Sequence, residues 1–187
     1  MKTSFNEATA SGCSTLERDL ELCEANGFDY IEIRGDMLLD YLQNHTVEDL
    51  RQFFAKGRLK PHAINALYVY PDMFHPEKAD KERDRALMAY FLACCHVSQA
   101  IGNKHFIVVP HLLDDAGSIY LPHDPQTMDY PDDMEKVMRD SVRILRTLAA
   151  AAVPYGINLC WEPVGSRGCA VRTLDHAWEI VRAEPRK

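Results

Sequence analysis

The chain reads as an α/β protein in which a parallel sheet is covered by helices. Two observations carry that reading. Short runs of β-type residues alternate with longer runs at helical spacing, and five strand-then-helix units follow one another without interruption. With 187 residues, 47% of them hydrophobic, the chain is long enough to bury a sizeable core, and no composition shift marks a boundary, so residues 1–187 are expected to form one domain.

Lys2 to Asn6 is the expected first strand. Leu16, Leu20 and Cys23 then recur on one helical face behind Ser14-Thr15, and Asn26-Gly27 closes that helix. Tyr30 to Arg34 (YIEIR) alternates with period two and reads as the second strand. Helical pieces follow over Leu38 to Leu42 and Val47 to Ala55, the second with Thr46 as N-cap ahead of Glu48 and Asp49. Lys60 to Leu67 (KPHAINAL) is the third strand, with Pro61 at its entry, where a missing N–H matters least. A long helix is expected from Asp80 to Ile101, stopped by Gly102. His105 to Pro110 is the fourth strand, and the segment His111 to Tyr130 is longer than an ordinary connection, which suits a functional loop. Pro131 is expected to open a helix to Val153, NLCWEP is the fifth strand, and Thr173 to Arg182 is the last helix.

Two architectures fit this order. A doubly wound open sheet suits the length, yet no glycine-rich phosphate loop follows any strand. A (β/α)8 barrel usually needs about 250 residues, and this chain supplies five of its eight units.

In a parallel barrel the reactive groups project from the C-terminal ends of the strands. If Ile31 and Ile33 pack against helices, Glu32 and Arg34 face the opposite side, and Asn65 on the third strand and Glu162 on the fifth follow the same parity. Each has a structural alternative: a buried Glu32–Arg34 ion pair, a turn capped by Asn65, or a salt bridge from Glu162 to Arg167. A glutamate at a strand end followed by Pro-Val-Gly suits a hard or borderline divalent cation. His111 is expected to be a solvated loop residue, and Cys160 a small hydrophobe rather than a nucleophile.

Composition narrows the function classes. A net charge of -7 and a pI near 5.6 argue against a nucleic-acid partner. The charges from Lys78 to Arg85 are mixed and read as a solvated helix face. Cys94 and Cys95 are adjacent and no C-x-x-C occurs, so the six cysteines read as reduced thiols of a cytoplasmic protein. The N-terminus lacks the apolar core of a signal peptide, and no window approaches the roughly 18 apolar residues of a membrane span.

The segments FNEAT (Phe5 to Thr9), DLELCEANGFDYIEIR (Asp19 to Arg34), KPHAINAL, VPYGINLCWEPVG (Val153 to Gly165) and TLDHAWEIV (Thr173 to Val181) together resemble the bacterial inosose isomerases, or 2-keto-myo-inositol isomerases. These belong to the xylose-isomerase-like superfamily of sugar phosphate isomerases and epimerases. The resemblance implies a partial (β/α)8 TIM barrel of about five βα units. It implies a divalent metal (Mn, Co or Zn) that polarises a keto-sugar or inosose while a proton moves between adjacent carbons, with Glu162 as metal ligand; strand parity offers Glu32, Arg34 and Asn65 as the substrate-binding candidates. The family's other ligands, an aspartate, a histidine and a second glutamate, belong to strands six to eight. The expectation is therefore a C-terminally truncated chain with an incomplete ligand set and impaired activity. Its open barrel edges would also favour self-association. The DNA-repair endonuclease branch of the superfamily is disfavoured by the acidic charge.

Overall fold

A computed structural model describes residues 1–111, 133–165 and 168–183. Five strands, β1 (Ser4–Asn6), β2 (Tyr30–Arg34), β3 (Lys60–Tyr68), β4 (His105–Val109) and β5 (Asn158–Trp161), form one sheet in the order β1-β2-β3-β4-β5. β1 pairs parallel to β2, and β2 parallel to β3. Each strand lies beside its predecessor in sequence, with no reversal of strand order. A doubly wound sheet has such a reversal where its two halves meet, so the order selects the barrel type of winding.

By its internal contacts the chain divides into two units, Met1–Ala66, Tyr90–Ile107 and Ala152–Asn158 in the first, and Leu67–Ala89, Val108–Ala151 and Leu159–Lys187 in the second. In the first, α1 (Leu16–Ala25) buries Leu16, Leu20 and Cys23, and its N-cap Thr15 accepts a hydrogen bond from the Arg18 N–H. The chain leaves α1 through Gly27 at φ +73°, a left-handed conformation that glycine adopts without steric cost. α2 (Gly35–Tyr41) starts directly after β2, three residues ahead of the expected start at Leu38. A Cβ at Gly35 would lie 1.9 Å from the Tyr90 hydroxyl oxygen, so the position admits only glycine. α3 (Val47–Lys56) has a capping box in which Thr46 accepts from the Asp49 N–H and Asp49 accepts from the Thr46 N–H. Ile31 and Ile33 are fully buried, while Glu32 and Arg34 are half-buried, which is the expected alternation. Phe91 and Phe106 meet edge to face with ring centroids 4.9 Å apart.

α4 (Lys81–Ile101) ends at Gly102, at φ +81°. In the second unit α5 (Met134–Ala152) buries Val137, Ile144, Leu145 and Leu148 on one face. The Lys136 N–H donates to the Asp133 carboxylate at 2.7 Å, so Asp133 caps the start of α5; Pro131 and most of the segment expected to be a functional loop lie outside the described residues. α6 (Leu174–Arg182) is capped by Thr173, buries Ala177 and Ile180, and exposes Leu174, Trp178 and Val181. Period-two alternation does not extend to β5, where Leu159, Cys160 and Trp161 are all half-buried.

Candidate functional site

The C-terminal end of β2 is built from both neighbouring strands. A register shift between Ile31 and Glu32 sets Glu32 opposite Ala63 and Arg34 opposite Asn65. From there the Asn65 amide donates to Glu32 Oε1 at 2.7 Å. Asn65 thus caps no turn; it joins the third strand's end to the second. In place of the alternative Glu32–Arg34 ion pair, Arg34 Nε donates to Asp36 Oδ1 at 2.8 Å, and its NH2 group pairs with Oδ2. A planar guanidinium meets a carboxylate two residues on, in the two-pronged geometry it favours. The hydrogen bonds from Arg34 hold the Asp36 carboxyl below its ordinary range.

Behind this end lie residues that sequence reasoning missed. The Arg34 backbone N–H donates to Glu7 Oε2 at 2.7 Å, and Glu7 is wholly buried. Burial pushes the Glu7 carboxyl up to about 8. Tyr90 donates from its hydroxyl to the Ala66 carbonyl at 3.1 Å, beside Asn65, and burial raises its ionisation well above the ordinary phenol value. The single signal in sequence for Glu7 was its place just after the first strand.

The second unit contains Glu162 and His111. The Glu162 N–H donates to the Val108 carbonyl at 3.1 Å, which continues the β4–β5 ladder one residue past β5 and leaves an exposed glutamate at the strand end. Arg167, its alternative partner, lies outside the described residues. His111 is buried rather than solvated, and its carbonyl accepts the Ala170 N–H at 3.0 Å. Burial, partly opposed by the Asp140 charge, holds its imidazole below the ordinary value, so it is neutral at neutral pH. Asp140 and Lys136 meet at 2.5 Å, and Asp72 and Arg143 complete the ionic network around Asp140. Burial acts to raise Asp140, but hydrogen bonds from Lys136 and Arg143 together outweigh it and keep the group ionised.

Among the described residues no three or more His, Cys, Asp or Glu side chains are grouped to hold a metal ion. A cation site gains its affinity from several converging ligands, so the described residues do not by themselves make up a complete site.

The xylose isomerase-like TIM barrel family matches residues 20–187. The chain belongs to this family. It is 34% identical to an inosose isomerase of Bacillus velezensis over 98% of this chain and 58% of that protein. An inosose isomerase of Bacillus subtilis is 34% identical over 97% of this chain and 58% of its own length. A solved structure of the IOLI protein with a binding zinc atom superposes with a TM-score of 0.79 at 33% identity, covering all of this chain and 60% of that one. This family member therefore spans less than two thirds of the length of the curated relatives it matches. The partial barrel of about five βα units expected from the sequence is the fold observed.

Proposed function

We propose that the chain supplies the first five βα units, a single N-terminal barrel portion over residues 1–187, of a keto-sugar isomerase acting on an inosose or a related sugar. What supports this above all is identity of 34% to an inosose isomerase across 98% of the chain. The polar groups at the β2 and β3 ends suit the substrate class. Asn65 spends one amide hydrogen on Glu32 and keeps a second hydrogen and a carbonyl oxygen with which to meet sugar hydroxyls, while Glu32 retains a second carboxylate oxygen as acceptor. Arg34, fixed on Asp36, presents a directed cation to substrate oxygens. A divalent cation, manganese, cobalt or zinc, would supply polarisation of the keto group; the zinc held by the IOLI protein supports that assignment. Glu162 is its proposed ligand in this chain, with further ligands from outside the described residues. Six cysteines, none in a disulfide, suit a cytoplasmic setting, and among the described residues no helix is long and apolar enough to cross a membrane.

Titration calorimetry with an inosose checks the substrate contacts. Glu32→Gln, Arg34→Ala and Asn65→Ala are each expected to weaken binding about tenfold, or ~1.4 kcal/mol. Unchanged affinity in all three overturns the assignment.

One observation favours a second reading, a module that associates with itself or another chain. Leu174, Trp178 and Val181 lie at i, i+4 and i+7 on α6 with 78%, 55% and 43% of their surfaces exposed. Sedimentation velocity tests it: concentration-dependent association that Trp178→Lys abolishes supports it, and a monomer at all concentrations rejects it.

A further inference from the structure

Glu7 and Asp19 are both acidic and both buried, with 0% and 3% of their surfaces exposed. Their hydrogen bonds leave one oxygen of each without a donor. Glu7 Oε2 accepts the Arg34 N–H at 2.7 Å, and Asp19 Oδ1 accepts the Ser14 hydroxyl at 2.6 Å. Glu7 Oε1 and Asp19 Oδ2 are buried and meet no N–H or O–H donor from another residue. The two buried groups are close enough that Asp19 acts to raise Glu7. Two carboxylates cannot satisfy each other's oxygens, since neither carries a hydrogen, and two like charges out of water would repel strongly. A single proton between them removes both difficulties.

We propose that Glu7 and Asp19 share one proton, as a carboxylic acid and a carboxylate, and that this buried pair is a pH-sensitive clamp that holds the segment after β1 and the start of α1 against the end of β2. The surroundings decide which group keeps the charge. Asp19 lies in the first turn of α1, where the helix dipole and the Ser14 hydroxyl favour an anion. Glu7 has no cation on it: from β2 it meets the Arg34 backbone N–H, from α2 the Asp36 charge acts to raise it, and from α1 come Asp19 itself and Cys23. Burial, with Asp19 and Glu7 adding to it, lifts the Cys23 thiol to about 11, so Cys23 supplies no compensating charge. Glu7 is therefore the acid. Its Oε1–H donates to Asp19 while its Oε2 accepts from Arg34, and loss of the proton at alkaline pH leaves two facing anions and opens the clamp.

The sign of the pH dependence follows from proton counting. The folded chain binds a proton on Glu7 that the unfolded chain releases near 4.5, and holds it up to about 8. Stability from this group is therefore full below pH 4.5, falls as pH rises, and is lost once pH passes about 8. Glutamine reproduces the protonated acid, with its amide N–H donating to Asp19 and its oxygen accepting from Arg34. Glu7→Gln is expected to fold and to lose the decline in melting temperature between pH 5 and pH 9 that the unsubstituted chain shows. Infrared difference spectra at pH 7 are expected to show a protonated-carboxyl stretch in the unsubstituted chain that Glu7→Gln removes. A pH profile shared by the unsubstituted chain and Glu7→Gln, or the absence of a protonated-carboxyl band at pH 7, overturns the proposal.

Discussion

At the scale of single residues, the tightest constraint is the approach of Gly35 to Tyr90. A methyl group at position 35 would lie 1.9 Å from the Tyr90 hydroxyl oxygen and 2.8 Å from its ring carbon Cζ. Tyr90 cannot turn aside cheaply, because it is held to the Ala66 carbonyl. Gly35→Ala is therefore expected to destabilise the chain by about 1–3 kcal/mol in urea unfolding, the ordinary cost of overpacking. In a Tyr90→Phe background the penalty should shrink, since the closest atom is gone while Cζ still crowds the site. A double-mutant cycle reads that coupling, expected at about 0.5 kcal/mol or more. Equal penalties in the two backgrounds would show that the backbone at Gly35 moves away instead. The same residues show how far the site could be read from sequence. Parity along YIEIR and KPHAINAL was enough to single out Glu32, Arg34 and Asn65 as a group, because period two is a property of every strand. Their partners were not legible. Pairing of Arg34 with Asp36 depends on a helix that starts at Gly35, and the Glu32–Asn65 bond depends on a register shift that no residue pattern announces.

At the scale of elements, local chemistry decides most boundaries. Thr15, Thr46 and Thr173 each precede a helix and each accept a backbone N–H of its first turn. Of the three, only Thr46 has a reciprocal capping box, in which the Asp49 carboxylate accepts the Thr46 N–H at 2.8 Å. Thr46→Ala is expected to cost about 1 kcal/mol, and to speed amide exchange in the first turn of α3 more than elsewhere. Protection that is lost evenly through the chain would argue that the cap acts on global stability alone. The caps explain why helix starts were legible where a threonine or aspartate stood ahead of an apolar run. They also explain why the start of α2 was placed late, since at Gly35 Arg34 makes no side-chain cap and steric fit to Tyr90 replaces capping chemistry. β5 was found from its apolar run, but its parity was not, since a four-residue strand with three half-buried side chains carries no alternation.

At the scale of the whole molecule, strand order and coverage set the terms for activity. An order of β1-β2-β3-β4-β5 without reversal gives the winding of a barrel, and the matched inosose isomerase of Bacillus velezensis has further sequence beyond the 58% covered here. Metal affinity grows with the number of converging ligands, and the described residues group no three of them. The decisive construction is a chimera that joins this chain to the stretch of that relative which the match leaves uncovered. If Glu162 is one ligand of a shared cation, the chimera is expected to turn over an inosose with added manganese, cobalt or zinc, and this chain alone to do so at least about a hundredfold more slowly. Loss of one carboxylate ligand should lower metal affinity by roughly 10- to 100-fold, a scale borrowed from the effect of removing a ligand's supporting partner. Glu162→Gln in the chimera is thus expected to raise the metal concentration needed for half-maximal rate by that factor. Glu32→Gln is expected to leave that concentration unchanged and act through substrate affinity. A metal requirement that Glu162→Gln does not move would remove Glu162 from the cation's coordination sphere, whatever the chimera's rate.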